Sequence, residues 1–317
     1  MAKSLLHWPN VPELRDETCR IFEAGQFQGA VILSHCGGLW APTDPAIHRF
    51  VRERVGAEGL VIERLFWPMG NLPSLDRLVG LLLDRIGLAG TWCNHWQILN
   101  ETDLEYPQAS PEQVAQLLWE VQRIVKGAGA DWVHLGWPTP QVPGAVSYFA
   151  AQVPQAAHYD FLADRSYWQP AEAMEWPNFG RKYRQHRAYI EEYCKEHFLS
   201  TPATILTEYG CSAPLTPKEE KAAQYRQFVL SLSGEDWVVG AAAFIGAGGT
   251  YDWDSEAAGG LWVTEEMAKI MADTGSVQNP VDWYSLIEPY LHEIWAATRS
   301  ERVRAAVVAI KHLAGLD

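Results

Sequence analysis

Short apolar runs alternate with longer amphipathic stretches from one end of the chain to the other. The apolar runs, which predict strands, lie at residues 4–8, 30–35, 60–67, 91–99, 132–137, 159–163, 203–207 and 237–245. The amphipathic stretches, which predict helices, lie at residues 12–26, 45–57, 75–88, 111–128, 145–156, 179–198, 217–232, 283–298 and 302–313. Regular alternation of strand and helix is typical of a parallel sheet with helical connections.

About eight strand–helix units follow one another, which is the number that closes a (β/α)8 barrel. We therefore predict an α/β fold, a single (β/α)8 TIM barrel that forms one domain over residues 1–317, because no linker divides the chain. The alternative is an open, doubly wound sheet, which usually has a glycine-rich first turn. Residues 7–10 (HWPN) contain no glycine, and the glycine-rich segment 246–249 follows the last predicted strand.

The composition limits the partners of this fold. The formal net charge is -14, which disfavours nucleic acids and anionic membranes and fits a neutral or cationic substrate. Tryptophan is abundant, at 15 of 317 residues, and tryptophans beyond the needs of the core often stack on flat ligands such as sugars. The five cysteines are odd in number and scattered, so they predict neither a disulfide framework nor a zinc site.

The chain shows no basic segment followed by a long apolar run at its start, and no stretch approaches the roughly 18 apolar residues of a membrane span. We therefore expect no membrane partner, and either a cytoplasmic protein or one released by lysis. The sequence predicts no cofactor and leaves the oligomeric state open.

In a (β/α)8 barrel the chemistry lies at the carboxyl ends of the strands. Those ends are rich in carboxylates, imidazoles and indoles, whereas the opposite ends resemble ordinary polar turns. The side chains concerned, in chain order, are His7, His35, Arg64, Trp67, Asn100, Glu101, His134, Trp137, Asp164, Arg165, Tyr167, Trp168 and Glu208. The asymmetry predicts one site at one mouth of the barrel.

Glu101 and Glu208 end the fourth and seventh predicted strands, so they face each other across that mouth. Hydrolysis of a glycosidic bond needs a proton donor and a second carboxylate. Carboxyl groups about 5–5.5 Å apart suit retention of configuration, and a wider gap suits inversion. The alternative is that each glutamate is a solvated turn residue, since an Asn-Glu pair occurs about once by chance in a chain of this length.

Three segments carry a resemblance to a known family. WQILNETD (residues 96–103) resembles the Asn-Glu motif that ends strand four in the large clan of retaining (β/α)8 glycosidases that includes the cellulase-like families. TILTEYG (204–210) is similar to that clan's strand-seven nucleophile motif, and AAAFIGAGGTYDWDSEAAG (241–259) to the last strand of its poorly characterised phage or environmental members.

The resemblance implies a role for several residues. Glu101 would be the acid/base and Glu208 the nucleophile, while Asn100 would bind the sugar 2-hydroxyl group. Tyr167 would orient the nucleophile and Arg64 would keep it ionised. The chain departs from the clan at Thr102, where proline is frequent, and in the strand-eight tryptophan, whose place falls to Trp253 in the following loop.

Further sugar contacts are expected from two histidines, His35 and His134, and from stacking by Trp67, Trp137, Trp168 or Trp253; the alternative is that these side chains belong to the core or the rim. A metal-dependent hydrolase usually needs His-x-His spacing, which is absent, so we predict no metal. The sequence thus predicts a retaining glycosidase that acts on a β-linked oligo- or polysaccharide. A glycan-binding barrel without catalysis, as in a phage or cell-surface assembly, is the alternative.

Overall fold

Each strand of the barrel pairs in parallel with the next strand along the chain, and the last pairs with the first. The computed structural model describes residues 2–36, 42–93, 95–129, 134–136 (backbone only), 150–168, 174–175, 180–212, 216–246 and 262–273. The strands are β1 Lys3–Trp8, β2 Gly29–His35, β3 Leu60–Phe66, β4 His95–Ile98, β5 His134–Gly136, β6 Phe161–Trp168, β7 Ala203–Cys211 and β8 Val238–Ala243. The predicted (β/α)8 barrel is confirmed.

Helices connect the strands and cover the outside of the barrel. They are α1 Arg15–Ala24, α2 Pro45–Val55, α3 Leu75–Ala89, α4 Thr102–Glu105, α5 Pro111–Gly127, α6 Val153–Ala156, α7 Tyr183–Glu196, α8 Lys218–Ser231 and α9 Glu265–Ala272. Helix α5 shows why such segments begin where they do. Ser110 and Gln113 form a capping box around Pro111, which satisfies backbone N–H groups of the first turn.

Side chains of the barrel strands alternate between its interior and its helical layer, as the two-residue period of a strand requires. Leu5, Val31 and Ile62 belong to an apolar cluster that also includes Ile205 and Ala242. The residues two positions later on β1, β2 and β3 line a cavity instead; they are His7, Leu33 and Arg64. An apolar layer therefore closes the barrel interior below a polar one.

The side chain of Glu63 on β3 points the opposite way, towards the helical layer. Its fully buried carboxylate accepts a hydrogen bond from Arg85 of α3 at 2.6 Å and lies 3.2 Å from His48 of α2. Burial alone raises the pKa of this carboxyl, but His48 and Arg85 outweigh burial and lower it. Because Glu63 is held against the helices, the next residue, Arg64, is directed into the barrel.

Two strands are longer than predicted. Strand β6 continues to Trp168 and β7 to Cys211, so Tyr167 and Glu208 lie within strands rather than after them. The sequence prediction ended both strands at the first polar residues, but here buried partners on other elements satisfy those residues. Helices α4 and α9 were not predicted, and the helices predicted at 283–298 and 302–313 lie outside the described residues.

The chain divides into two compact units, residues 1–272 and 273–317, and the barrel belongs to the first. The expectation of one domain over residues 1–317 remains a prediction. Within the described ranges, each helix is too short or too polar to cross a membrane.

Candidate active site

The polar layer of the barrel opens into a cavity of about 580 Å³ at the carboxyl ends of the strands. Strands β1, β2, β3, β6 and β7 contribute to it, together with the segments after β4 and β8. The lining residues are His7, Pro9, Asn10, Leu33, His35, Arg64, Phe66, Met69, Asn100, Glu101, Leu104, Glu105, Tyr167, Glu208, Phe244 and Ile245. Glu101 and Glu208, predicted from strands four and seven, thus line one cavity.

A β-bulge sets the direction of Glu208. Along β6 and β7, Asp164 lies opposite Leu206 but Arg165 lies opposite Glu208, so Thr207 is an extra residue in β7. Bulges redirect side chains and are common beside active sites. Glu208 faces the cavity, whereas the next residue, Tyr209, packs against the outer ring cluster of Trp168, Tyr225 and Phe228.

Glu208 is buried among hydrogen-bond donors. Arg64 Nη1 donates to its Oε1, and the Tyr167 hydroxyl donates to its Oε2 at 2.7 Å. Burial raises the pKa of this carboxyl, but the guanidinium groups of Arg64 and Arg165 outweigh burial and lower it to about 2. Burial and the Glu208 charge hold the pKa of Tyr167 well above its usual value. Glu208 is therefore a carboxylate at neutral pH, and Tyr167 a hydrogen-bond donor.

Glu101 follows β4 at the start of α4, after Leu99 with its positive φ of 61°. Its side chain is 25% exposed and lies 2.6 Å from Arg165 Nη1. Burial and the nearby Glu208 charge raise the pKa of Glu101, whereas Arg165 lowers it, and the net effect is upward. The pKa values of Glu101 and Glu208 are therefore shifted in opposite directions.

Alternation along β6 explains how Arg165 reaches Glu101 and lies near enough to Glu208 for its charge to act there. Arg165 and Tyr167 point inward, whereas Asp164 and Ser166 point to the helical layer. Asp164 lies 2.8 Å from His186 Nδ1 of α7 and accepts a hydrogen bond from the Arg165 backbone N–H at 2.7 Å. Contacts on the outer face of β6 thus hold the strand that presents Arg165.

Asn100 is held between two charged groups. Its Nδ2 donates to Glu105 Oε1 at 2.8 Å, and its Oδ1 accepts from Arg165 Nη1 at 3.4 Å. The amide orientation follows from this pairing, since a carboxylate needs a donor and a guanidinium needs an acceptor. Asn100 also lines the cavity beside Glu101.

The fold resembles those of several solved glycoside hydrolases. No protein-family model matches the chain, and no curated protein matches its sequence. A family 51 α-L-arabinofuranosidase from Bifidobacterium longum has a TM-score of 0.54 at 12% identity, covering 77% of this chain and 66% of that one. A family 39 glycoside hydrolase from Bacteroides cellulosilyticus has a TM-score of 0.58 at 13% identity, covering 86% and 63%.

A GH128 endo-β-1,3-glucanase from Amycolatopsis mediterranei, solved with laminarihexaose, has a TM-score of 0.52 at 15% identity, covering 86% of this chain and 99% of that one. The chain has the fold of these glycoside hydrolases. It spans less than two thirds of the length of the first two, and at such low identities the likeness shows the fold alone.

The two histidines of the cavity are neutral at pH 7. His7 Nε2 lies 3.2 Å from Arg64 Nη1, and burial together with the Arg64 charge lowers the pKa of His7 to about 3. Burial and Arg64 also lower the pKa of His35, which lines the cavity as its predicted sugar contact requires. His7 Nε2 accepts a hydrogen bond from Arg64, so His7 helps to hold the guanidinium that holds Glu208.

Two of the predicted stacking residues, Trp67 and Trp168, do not line the cavity. Trp67 lies in the main core, with its ring 4.5 Å from the guanidinium carbon of Arg77. Trp168 is fully buried and donates from Nε1 to Gln224 of α8 at 2.8 Å. Both side chains point away from the barrel interior. The predicted contacts from the His134 side chain, Trp137 and Trp253 lie outside the described residues.

Arg165 was expected at the end of strand six but without a role, and Glu105 was not considered, although both lie with Glu101 and Asn100. Arg165 stands two residues before Tyr167, so a longer predicted strand six would have placed both on one face. Glu105 is brought in by the short helix α4, for which the sequence has no comparable signal.

We expect Arg165→Gln to raise the pKa of both Glu101 and Glu208, because the charge of Arg165 lowers each of them. Carboxyl-carbon NMR titrations, assigned with Glu101→Gln and Glu208→Gln, measure both values. The control is Arg123→Gln, which removes an exposed Arg123–Glu120 pair at 3.0 Å and leaves the cavity unchanged. A pKa of Glu101 that stays the same or falls in Arg165→Gln would contradict this electrostatic account.

Proposed function

We propose that this protein is a retaining glycoside hydrolase that cleaves a β-linked saccharide by double displacement. Glu208 is the nucleophile and Glu101 the acid/base. The observation that carries the proposal is the pair of carboxyl groups in one cavity with opposite pKa shifts, one lowered to about 2 and the other raised. Such a pair supplies a carboxylate that attacks and a carboxylic acid that donates a proton.

In the first step Glu208 attacks the anomeric carbon while Glu101 protonates the departing glycosidic oxygen. Arg64 and Tyr167 hold the two oxygens of Glu208, which keeps the group ionised and orients it for attack. The result is a covalent glycosyl–enzyme ester and a released alcohol.

In the second step a water molecule attacks the anomeric carbon and Glu208 leaves as a carboxylate. Esterification removes the charge of Glu208, which had raised the pKa of Glu101. The pKa of Glu101 then falls, so Glu101 accepts the proton of the attacking water. Arg165, 2.6 Å from Glu101, favours this ionised state.

The structural neighbours support a glycan as substrate. Their names describe an arabinofuranosidase, a family 39 glycoside hydrolase and an endo-β-1,3-glucanase that was solved with an oligosaccharide. An opening at the strand ends whose two histidines are neutral fits an uncharged oligo- or polysaccharide.

One contact favours a second candidate, a glycan-binding barrel without catalysis. The ion pair between Arg165 and Glu101 favours the charged form of Glu101, and a charged Glu101 cannot donate the first proton. In a binding protein the same pair would simply fix the shape of the cavity. Catalytic assays separate the two candidates.

The test is hydrolysis of aryl β-glycosides and β-glycans, with the anomer first released read by proton NMR. We expect wild type to cleave at least one substrate with retained configuration. Glu101→Ala should lose about 10²- to 10⁴-fold on substrates whose leaving group needs protonation, and much less on a dinitrophenyl glycoside. Glu219→Gln, an exposed carboxyl on α8, is the matched control and should retain full activity.

Two outcomes would contradict the proposal. An inverted first product would exclude the double displacement, since that mechanism inverts twice. Saccharide binding without any hydrolysis would instead support the glycan-binding barrel.

A further inference from the structure

Helix α4, Thr102–Glu105, places a third carboxyl group in the cavity. Glu105 is only 2% exposed. Its backbone N–H donates to the Glu101 carbonyl at 2.6 Å, and its own carbonyl accepts from Gly70 at 2.8 Å. The backbone of Glu105 is therefore tied both to Glu101 and to the loop after β3.

The two carboxyl oxygens of Glu105 differ. Oε1 accepts the hydrogen bond from Asn100 Nδ2. Oε2 is buried and has no hydrogen-bond partner among the described residues. A buried acceptor without a donor is costly, so such a group in a binding cavity is typically completed by a ligand.

The guanidinium groups of Arg64 and Arg165 affect the pKa of Glu105 through their charge and not through a hydrogen bond. Arg64 donates to Glu208 and His7, and Arg165 contacts Glu101 and Asn100. The first effect on the pKa of Glu105 is burial, which raises it, and the charge of Arg64 opposes this only partly. Among the described residues, Glu105 thus has no direct guanidinium partner of the kind that Glu101 and Glu208 each have.

We propose that Glu105 is a specificity-determining residue whose Oε2 accepts a hydrogen bond from a hydroxyl group of the glycosyl unit bound in the cavity. This rests on the proposed glycosidase function, in which Asn100 binds one sugar hydroxyl. Because Glu105 Oε1 holds the Asn100 amide, Glu105 Oε2 faces the hydroxyl on a neighbouring carbon. The preferred substrate therefore carries two free vicinal hydroxyl groups, and an anionic substituent at the second position is rejected.

The variant Glu105→Gln isolates this contact. A glutamine keeps an oxygen for the Asn100 amide but presents an NH₂ group, a donor, where Oε2 had been an acceptor. Glu105→Leu removes both contacts and serves as the second variant. Thermal unfolding of each variant establishes that it is folded, and Glu219→Gln is the matched control on the exposed surface.

The measurement compares an aryl glycoside that wild type cleaves with its 2-deoxy and 3-deoxy analogues. In wild type, kcat/KM should fall about 10- to 100-fold for the analogue that lacks the hydroxyl bound by Glu105. Glu105→Gln should lower kcat/KM on the parent glycoside by a similar factor. Within this variant, kcat/KM for that deoxy analogue should then be only a few-fold lower than for the parent. Glu105→Gln, which keeps an oxygen for the Asn100 amide, should retain the wild-type penalty on the other analogue.

If Glu105 only positions Asn100, Glu105→Gln leaves the penalties on both analogues unchanged, and the inference is overturned while the glycosidase function stands. If wild type cleaves no glycoside, the proposed function fails. Isothermal titration with the methyl glycosides and their deoxy analogues then decides the inference: the same pattern in Kd supports it, and an absence of binding or an unchanged pattern overturns it.

Discussion

Replacing Glu208 by glutamine is expected to lower kcat at least about 10⁴-fold, or about 5.4 kcal/mol in activation free energy, because the amide cannot attack the anomeric carbon. Glutamine has the shape of glutamate: its oxygen accepts the hydrogen bond from Arg64, and its NH₂ group donates to the hydroxyl oxygen of Tyr167. Arg64 then lacks its buried charge partner, so the variant should also be less stable, and the loss in kcat is measured under conditions in which the variant is folded. Steady-state kinetics on an activated aryl glycoside, with thermal unfolding as the check of structure, measure it.

Azide distinguishes the roles of the two glutamates. In Glu208→Ala the added azide replaces the nucleophile, so the product is a glycosyl azide of inverted configuration. In Glu101→Ala the azide instead attacks the glycosyl–enzyme, so the product retains configuration. If Glu208→Gln keeps activity within about tenfold of wild type, Glu208 is not the nucleophile, and the assignment of both carboxyls must be exchanged or abandoned.

The order of elements was predictable because the strands and helices have clear periodic patterns. The directions of adjacent charged residues were not. Glu63 and Arg64 are neighbours in one apolar strand, yet one bonds to α2 and α3 and the other to Glu208. Their partners come from distant segments, with Arg64 and Glu208 144 positions apart in the sequence, so no local pattern indicates which charge enters the barrel.

The positions of Glu101 and Glu208 at the cavity were predictable, because each ends or interrupts an apolar run near the expected mouth of the barrel. A role for Arg165 was not predictable, because predicted strand six ended at residue 163 and left the direction of the Arg165 side chain open. In the structure each has a partner on a distant segment: Asp164 pairs with His186, Arg165 pairs with Glu101, and Ser166 donates a hydrogen bond to the Gly180 carbonyl. Tertiary contacts rather than local propensity thus extend β6 to Tyr167 and Trp168.

The second large effect is expected from Arg64→Met, which leaves the carboxylate of Glu208 buried without its direct guanidinium partner. Removal of one member of a buried ion pair typically costs about 3–5 kcal/mol in the free energy of unfolding. The pKa of Glu208 should rise from about 2, because burial raises it and only Arg165 is left as a strong opposing charge. Activity at acidic pH should fall with it, since a protonated Glu208 does not attack.

The sign of the pH dependence follows from linkage. In wild type the folded pKa of Glu208, about 2, lies below the unfolded value of about 4.3. Its contribution to stability is thus present above pH ~4.3 and lost as the pH falls towards 2. Arg64→Met lacks most of this contribution, so its difference from wild type should be largest near pH 7 and should shrink towards pH 3.

Urea unfolding at pH 3 and at pH 7 measures that difference, and Arg49→Met is the matched control. Arg49 pairs with Glu53 on the exposed side of α2, so its loss should leave the free energy of unfolding close to wild type at both pH values. A destabilisation of Arg64→Met that is equal at both pH values would mean that Arg64 acts by packing alone. The low pKa of Glu208 would then depend on Arg165, and the nucleophile would owe its charge to the same residue that contacts the acid/base.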